Sequence, residues 1–263
     1  MKPVIYYRKS LMEKEELSAA QKYFDCFDCL TLIPKYSFVI PRYSLYPFVY
    51  DQYRELQNLN CKVINDYHQH SFVADLGNYV PVLGELTPET WDSLYSLPDQ
   101  GPFILKGETN SKKDYFSTMM FADNKQRAIE IESLLQKDGL IGSQKIYIRK
   151  YIPLKKYFDG IGGVPISNEF RFFICNGKVL SGAFYWQNYV DEIEPKPTVD
   201  MVPKDFLQKV INKVGNNCNF YVIDVAETES GEWVVIELNS GCQSGLSLND
   251  PETLYNNLYE SIS

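Results

Sequence analysis

No apolar run in these 263 residues approaches the ~18–20 that a membrane-crossing helix needs. The opening MKPVIYYRKS has too short an apolar part for a secretory leader, so the chain is expected to be cytoplasmic and off the membrane. Positive charge is in deficit: 26 Lys and Arg against 34 Asp and Glu give a net charge of −8. That balance excludes a broad electrostatic grip on nucleic acid, though not a local basic patch. Thiol chemistry has little to work with. The six cysteines include one CxxC, Cys26-Phe-Asp-Cys29, with no second pair and no neighbouring His pair. Reduced, mostly buried thiols are expected, with this CxxC at the apolar end of a helix. The two histidines, His68 and His70, have no Cys or acid cluster beside them, so a loop or substrate-side role is expected. The phosphate-binding pattern GxxxxGK[ST] is absent, as is any Ser-His-Asp or Cys-His arrangement.

What remains is ordinary in composition and informative in pattern. Hydrophobic content of 44% with 23% charged residues is that of a soluble globular protein, and the length allows one large domain or a few small lobes. The 20 Tyr and 15 Phe are scattered among predicted strands rather than set out as a base-stacking platform.

Strands are expected at Val4–Tyr7, Ser37–Ile40 and Lys62–Ile64, and helices at Glu15–Leu30 and Phe48–Leu59. This alternation over the first ~70 residues predicts a small α/β lobe. Thr87-Pro88-Glu89-Thr90 reads as a helix start, and Pro98-Asp99-Gln100-Gly101-Pro102 as the best linker. Next, FILKG at Phe103–Gly107 delivers Lys106 into a hydroxyl-rich loop, Glu108 to Lys113. Lysines flanking a loop are mostly solvated, yet a strand Lys followed by Lys112 and Lys113 also suits phosphate. A helix is expected at Asn124–Asp138 and a strand at Lys145–Leu154, which carries Arg149 and Lys150.

The C-terminal half carries the sharper chemistry. Glu169-Phe170-Arg171-Phe172 alternates charge with aromatics, turns at Asn176-Gly177 and returns over Lys178–Tyr185. Glu169 and Arg171 thus share one strand face; such a pair is either a surface ion pair or a clamp for phosphate. Tyr221–Val225 and Trp233–Leu238 flank a Glu-Thr-Glu-Ser-Gly turn as a second hairpin. Asp224 lies in its first strand, with Glu237 and Asn239 at the end of the second. Residues two apart point to one face, so these oxygens would form a hard-cation site of the kind Mg²⁺ uses beside phosphates. Acids that simply face water are the plainer reading of one strand Asp, and a less comfortable one for three converging oxygen side chains.

VIPRYS, GPFILKGETNSKK, IYIRKYIPL, NEFRFFICNGKVLSGAFYW and YVIDVAE…WVVIELNSGCQSGL, in that order, resemble the ATP-grasp family, and within it the phage and bacterial R2K clade. The IRKYIPL…EFRFF portion also resembles the eukaryotic assembly chaperone of translation initiation factor 2. The resemblance implies ATP held between two α+β lobes, after an N-terminal α/β pre-ATP-grasp domain. Residues 1–97 would be that domain, 98–155 the small lobe and 156–263 the large lobe with the metal site. It further implies that Lys106 contacts phosphate and the adenine side, that Thr109, Asn110, Ser111, Lys112 and Lys113 form a mobile loop over the phosphates with Lys112 or Lys113 as its closing charge, and that Lys150, Tyr151 and Ile152 meet adenine. Arg149 and Glu169 would lie near the nucleotide, and Arg171 would stabilise the transferring phosphoryl group. Asp224, Glu237 and Asn239 would hold Mg²⁺. Where the family usually has a hinge acid or glutamine, Arg149 and Lys150 stand instead. Arg42 and Ser244 are candidates for substrate recognition. The implied activity is carboxylate–amine (or thiol) ligation through an acyl-phosphate, in a bacterial or phage-infected cell. Its substrates would be small-molecule or peptide carboxylates and amines, with a protein acceptor also open. An ATP-binding assembly factor without turnover, or a kinase, would share the same nucleotide site.

Overall fold

The computed structural model describes residues 3–45 and 50–263. At the N-terminus, β1 (Pro3–Tyr7), α1 (Lys14–Ala20), β2 (Asp25–Phe27), β3 (Phe38–Arg42), α2 (Tyr50–Asn58) and β4 (Lys62–Val63) follow one another. The strands form a parallel sheet in the order β2-β1-β3-β4, as the alternation predicts. Phe48, the expected start of the second helix, lies outside the described residues. The first helix is shorter than expected. It ends at Ala20, and Cys26 lies in β2 with Cys29 exposed beyond it. Helical spacing would place Phe24 and Phe27 on one face, whereas the two pack into separate cores. All six cysteines are free thiols, and Cys61, Cys175, Cys218 and Cys242 are buried.

Two short helices follow, α3 (Tyr67–Ala74) and α4 (Leu76–Leu83). Asp66 starts α3 through a capping box with Gln69. Next come β5 (Thr90–Trp91), β6 (Gln100–Gly107), α5 (Phe116–Met119), β7 (Phe121–Asn124), α6 (Lys125–Leu135) and β8 (Ile146–Lys150). These strands make an antiparallel sheet, β5-β8-β6-β7, so β5 joins the sheet of the segment that follows it. No helix starts at Thr87. Its hydroxyl, instead of capping, donates to the Val235 carbonyl at 2.9 Å and accepts from Arg149 Nη2 at 2.7 Å. The expected linker at 98–102 is partly strand, because Gln100 pairs with Asn124 and a register shift absorbs Gly101-Pro102. Asn124 caps α6 by accepting from the Arg127 amide.

A small hairpin, β9 (Lys156–Asp159) and β10 (Pro165–Ser167), leads to β11 (Glu169–Cys175), β12 (Lys178–Phe184), α7 (Lys204–Val214), β13 (Phe220–Glu227), β14 (Trp233–Ser240) and α8 (Pro251–Ile262). The large antiparallel sheet runs β12-β11-β13-β14. Asn176 and Gly177 join β11 to β12 with φ of 48° and 76°, the left-handed pair that a two-residue hairpin turn requires.

One face of this sheet positions the site. Its other face, with Phe170, Phe172, Tyr221 and Ile223, packs on α4 and α7. On the site face, Phe173, Cys175, Phe220 and Val222 are covered by α8 and by Ile5 and Ile40 of the N-terminal sheet. That cover ends where the polar residues Arg171, Asp224 and Glu237 begin. Among the described residues, no helix is long and apolar enough to cross a membrane.

Candidate functional site

Strand register builds the centre of the site. Arg171 of β11 sits opposite Asp224 of β13, and Asp224 sits opposite Glu237 of β14. Directly opposed residues share a face, so the three form a row across the sheet, with Asn239 one alternation further along. Arg171 Nε and Nη2 donate to the two Asp224 oxygens at 2.9 and 2.8 Å, and Nη1 donates to the Gly245 carbonyl at 2.9 Å. From the smaller sheet, Lys106 of β6 reaches across to pair with Glu237. Burial alone would raise the Glu237 carboxyl; Lys106, Lys113 and the Asn239 amide outweigh it and hold the group ionised, down to about 2.

An apolar cleft opens on one side of this row. Lys150, Tyr151 and Ile152 line it together with Ile104, Met120 and Ile236. Arg149, Lys113, Glu169 and Ser167 add the polar groups, the mixture typical of a small-molecule site. Arg149 is buried and donates to the Ile236 carbonyl at 2.6 Å and to Thr87, so it braces β8 against β14. Glu169 is buried beside Asp224; burial pushes its carboxyl up to about 7, with Lys113 opposing the rise, Asp224 adding to it and Arg171 opposing it again. Its Oε2 accepts from Ser167 at 3.3 Å while Oε1 is buried without a partner.

On the other side of the row lies a polar cavity of about 360 Å³, lined by Thr109, Asn110, Arg171, Glu237, Asn239 and Ser244 among others. The loop lysines diverge. Lys112 pairs with Asp138 beyond the end of α6 at 2.5 Å, whereas Lys113 faces the apolar cleft and donates to Tyr185 Oη at 2.7 Å. Ser111 lines neither space. His70 of α3 is in the cavity wall with Nδ1 3.2 Å from Ser240 Oγ, and burial pushes its imidazole down to about 4. His68 is exposed.

Arg42, a candidate for substrate recognition, does not line the cavity, whereas Ser244 does. Its guanidinium is 0% exposed and donates to Glu16 at 2.6 Å, to Tyr43 at 2.7 Å and to the Gly241 and Ser244 carbonyls. It therefore stands behind the Ser244 loop rather than at the cavity surface. The oxygen set expected for a cation is divided too: Glu237 and Asn239 line the cavity, while both Asp224 oxygens accept from Arg171. Among the described residues, no three His, Cys, Asp or Glu side chains group closely enough for a metal ion on their own.

Several contributors have no signal in the local sequence. Ile236 enters the cleft because β14 bulges there, Val225 pairing with Val235 while Asp224 pairs with Glu237; such bulges re-aim side chains beside functional sites. Thr87 and Tyr185 act through partners 62 and 72 residues away.

A model of the ATP-grasp domain, R2K clade family 3, matches residues 95–258. No curated protein sequence matches. Among solved structures, a D-cycloserine synthetase is 11% identical with a TM-score of 0.63, covering 99% of this chain and 100% of that one. A RimK-domain ATP-grasp protein from Sphaerobacter thermophilus is 13% identical, covering 97% and 98%, with a TM-score of 0.59. The D-alanine–D-alanine ligase from Bacillus anthracis complexed with ATP is 12% identical, covering 98% and 95%, with a TM-score of 0.58. At these identities the likeness is one of fold.

Proposed function

The chain belongs to the R2K clade of the ATP-grasp family, and on that premise we propose that it is an ATP- and Mg²⁺-dependent ligase joining a carboxylate to an amine or thiol. The observation that carries this reading is the Arg171–Asp224–Glu237–Lys106 row at the seam between an apolar cleft and a polar cavity. Adenine would occupy the cleft against Lys150, Tyr151 and Ile152, the hinge between the lobes, and the phosphates would cross the row toward the cavity. In this reading residues 1–97 are the N-terminal domain, lending β5 to the small lobe; 98–155 are the small lobe and 156–263 the large one.

Lys106 and Lys113 would offset phosphate charge, and Arg171, oriented by its two bonds to Asp224, would face the charge that develops on the transferring group. Glu237 and Asn239, an ionised carboxylate and an amide on one face of β14, fit a hard cation, with Asp224 alongside. Mg²⁺ bound there would neutralise charge between nucleotide and substrate. A substrate carboxylate oxygen would attack the γ-phosphorus while its bond to ADP breaks. The acceptor nitrogen or sulfur would then attack the acyl carbon and give up a proton to the departing phosphate, which leaves with the electrons of the broken carbon–oxygen bond. The lobes' role is to hold the reactants together and keep water from the acyl-phosphate.

The test is ADP release in the presence of Mg²⁺-ATP across a panel of amino acids and small acids, with products identified by mass. ADP formation that depends on both a carboxylate and an amine supports ligation. Tightly bound ATP without ADP release under every pairing would contradict it, and phosphorylation of a hydroxyl would replace it with kinase chemistry.

A further inference from the structure

Tyr185, the residue just beyond β12, lies between two cations that belong to different parts of the site. Lys113 of the loop donates to its hydroxyl at 2.7 Å and stands 4.3 Å from its ring centroid. On the large sheet, Arg171 has its guanidinium carbon 4.8 Å from the same ring. Trp186 meets Tyr185 edge-on at 5.0 Å and lies 5.2 Å from Lys113 Nζ. The Tyr185 amide donates to the Glu169 carbonyl at 2.9 Å, which ties the ring's backbone to the strand that carries Arg171. A ring face attracts a cation, and more strongly where water is excluded. Two cations that would otherwise repel are therefore held by one aromatic group.

We propose that Tyr185 is a positioning residue that fixes Lys113 of the loop relative to Arg171 and so sets the loop over the nucleotide's phosphates. The inference rests on the nucleotide site proposed above. It follows from the geometry that Tyr185 acts on phosphates through Lys113 and not on the base, because the hinge and Ile236 line the base end of the cleft without it.

The test is calorimetric titration of the full chain with Mg²⁺-ATP and, separately, with adenosine, for wild type, Tyr185→Phe, Tyr185→Leu, Lys113→Met and the Tyr185→Leu/Lys113→Met pair. Tyr185→Leu is expected to weaken Mg²⁺-ATP binding roughly tenfold, since it removes a hydrogen bond and two ring contacts, and to leave adenosine binding unchanged. Tyr185→Phe keeps the ring and should fall between. The double variant should bind Mg²⁺-ATP no worse than Lys113→Met alone. Wild-type affinity in Tyr185→Leu, equal losses for adenosine and Mg²⁺-ATP, or additive losses in the double variant would each overturn the inference while leaving the nucleotide site standing. A wild type that binds no Mg²⁺-ATP would overturn the nucleotide site, and this inference with it.

Discussion

Glu169 is an acid held where ionisation is costly. Its folded value of about 7 stands above the ordinary 4.5. Below the lower value it is protonated whether the chain is folded or not. Between the two, the folded chain holds more protons than the unfolded one, so stability falls as pH rises through that window. The Glu169→Gln variant should lose this fall, gaining up to ~3 kcal/mol over wild type at the upper end and none at the lower. Urea unfolding across the window would show it; parallel pH profiles for the two proteins would contradict the assignment. The charged residues at this scale were legible because Asp224, Glu237, Lys106 and Arg171 sit in strand patterns where charge is unusual. What Glu169 does was not legible, since its shift depends on burial beside Asp224 from another strand. Nor was the choice between Lys112 and Lys113, which Asp138 decides by drawing Lys112 away.

At the scale of elements, the loop over the site is pressed on by the turn between β9 and β10. Gly162 and Gly163 there have φ of 69° and 79°, and a Cβ at Gly162 would lie 2.1 Å from the Asp114 carbonyl oxygen. Gly162→Ala must therefore either strain the turn or push back the segment that follows Lys113. Mg²⁺-ATP affinity should fall roughly tenfold on a strain of ~1–3 kcal/mol. Gly231→Ala is the control: φ there is 84°, yet nothing lies within 4 Å of the added carbon. Equal nucleotide affinities for the two variants would contradict the contact's role. The hairpins flanking Asn176-Gly177 and the Glu-Thr-Glu-Ser-Gly turn were readable from alternation and turn residues. The bulge that turns Ile236 into the cleft was not, because one extra residue leaves the apolar run Trp233–Leu238 looking regular.

Across the whole molecule, Arg42 ties together parts that no local pattern connects. Its guanidinium joins Glu16 of α1, Tyr255 of α8 and the Gly241 and Ser244 carbonyls. Arg42→Ala would leave Glu16, with a side chain 3% exposed, as an unpaired buried charge, a change costing about 3–5 kcal/mol. Arg42→Met with Glu16→Leu should recover most of that loss, as chemical denaturation would measure. A loss under 1 kcal/mol in Arg42→Ala would contradict the arrangement, ~1 kcal/mol being the ceiling for an exposed pair. The alternation of the first ~70 residues revealed an α/β unit. It did not reveal that this unit and α8 share a core with the large sheet, since that packing joins residues such as Ile5 and Phe220.

On the proposed reading, Glu237 helps hold Mg²⁺-ATP at the seam between the lobes. Calorimetric titration of Mg²⁺-ATP into wild type and Glu237→Ala tests it most directly, with near-UV circular dichroism confirming the fold of both. Saturable binding by wild type and none by the variant is the predicted result. Equal affinity in the two would show that Glu237 does not hold the nucleotide.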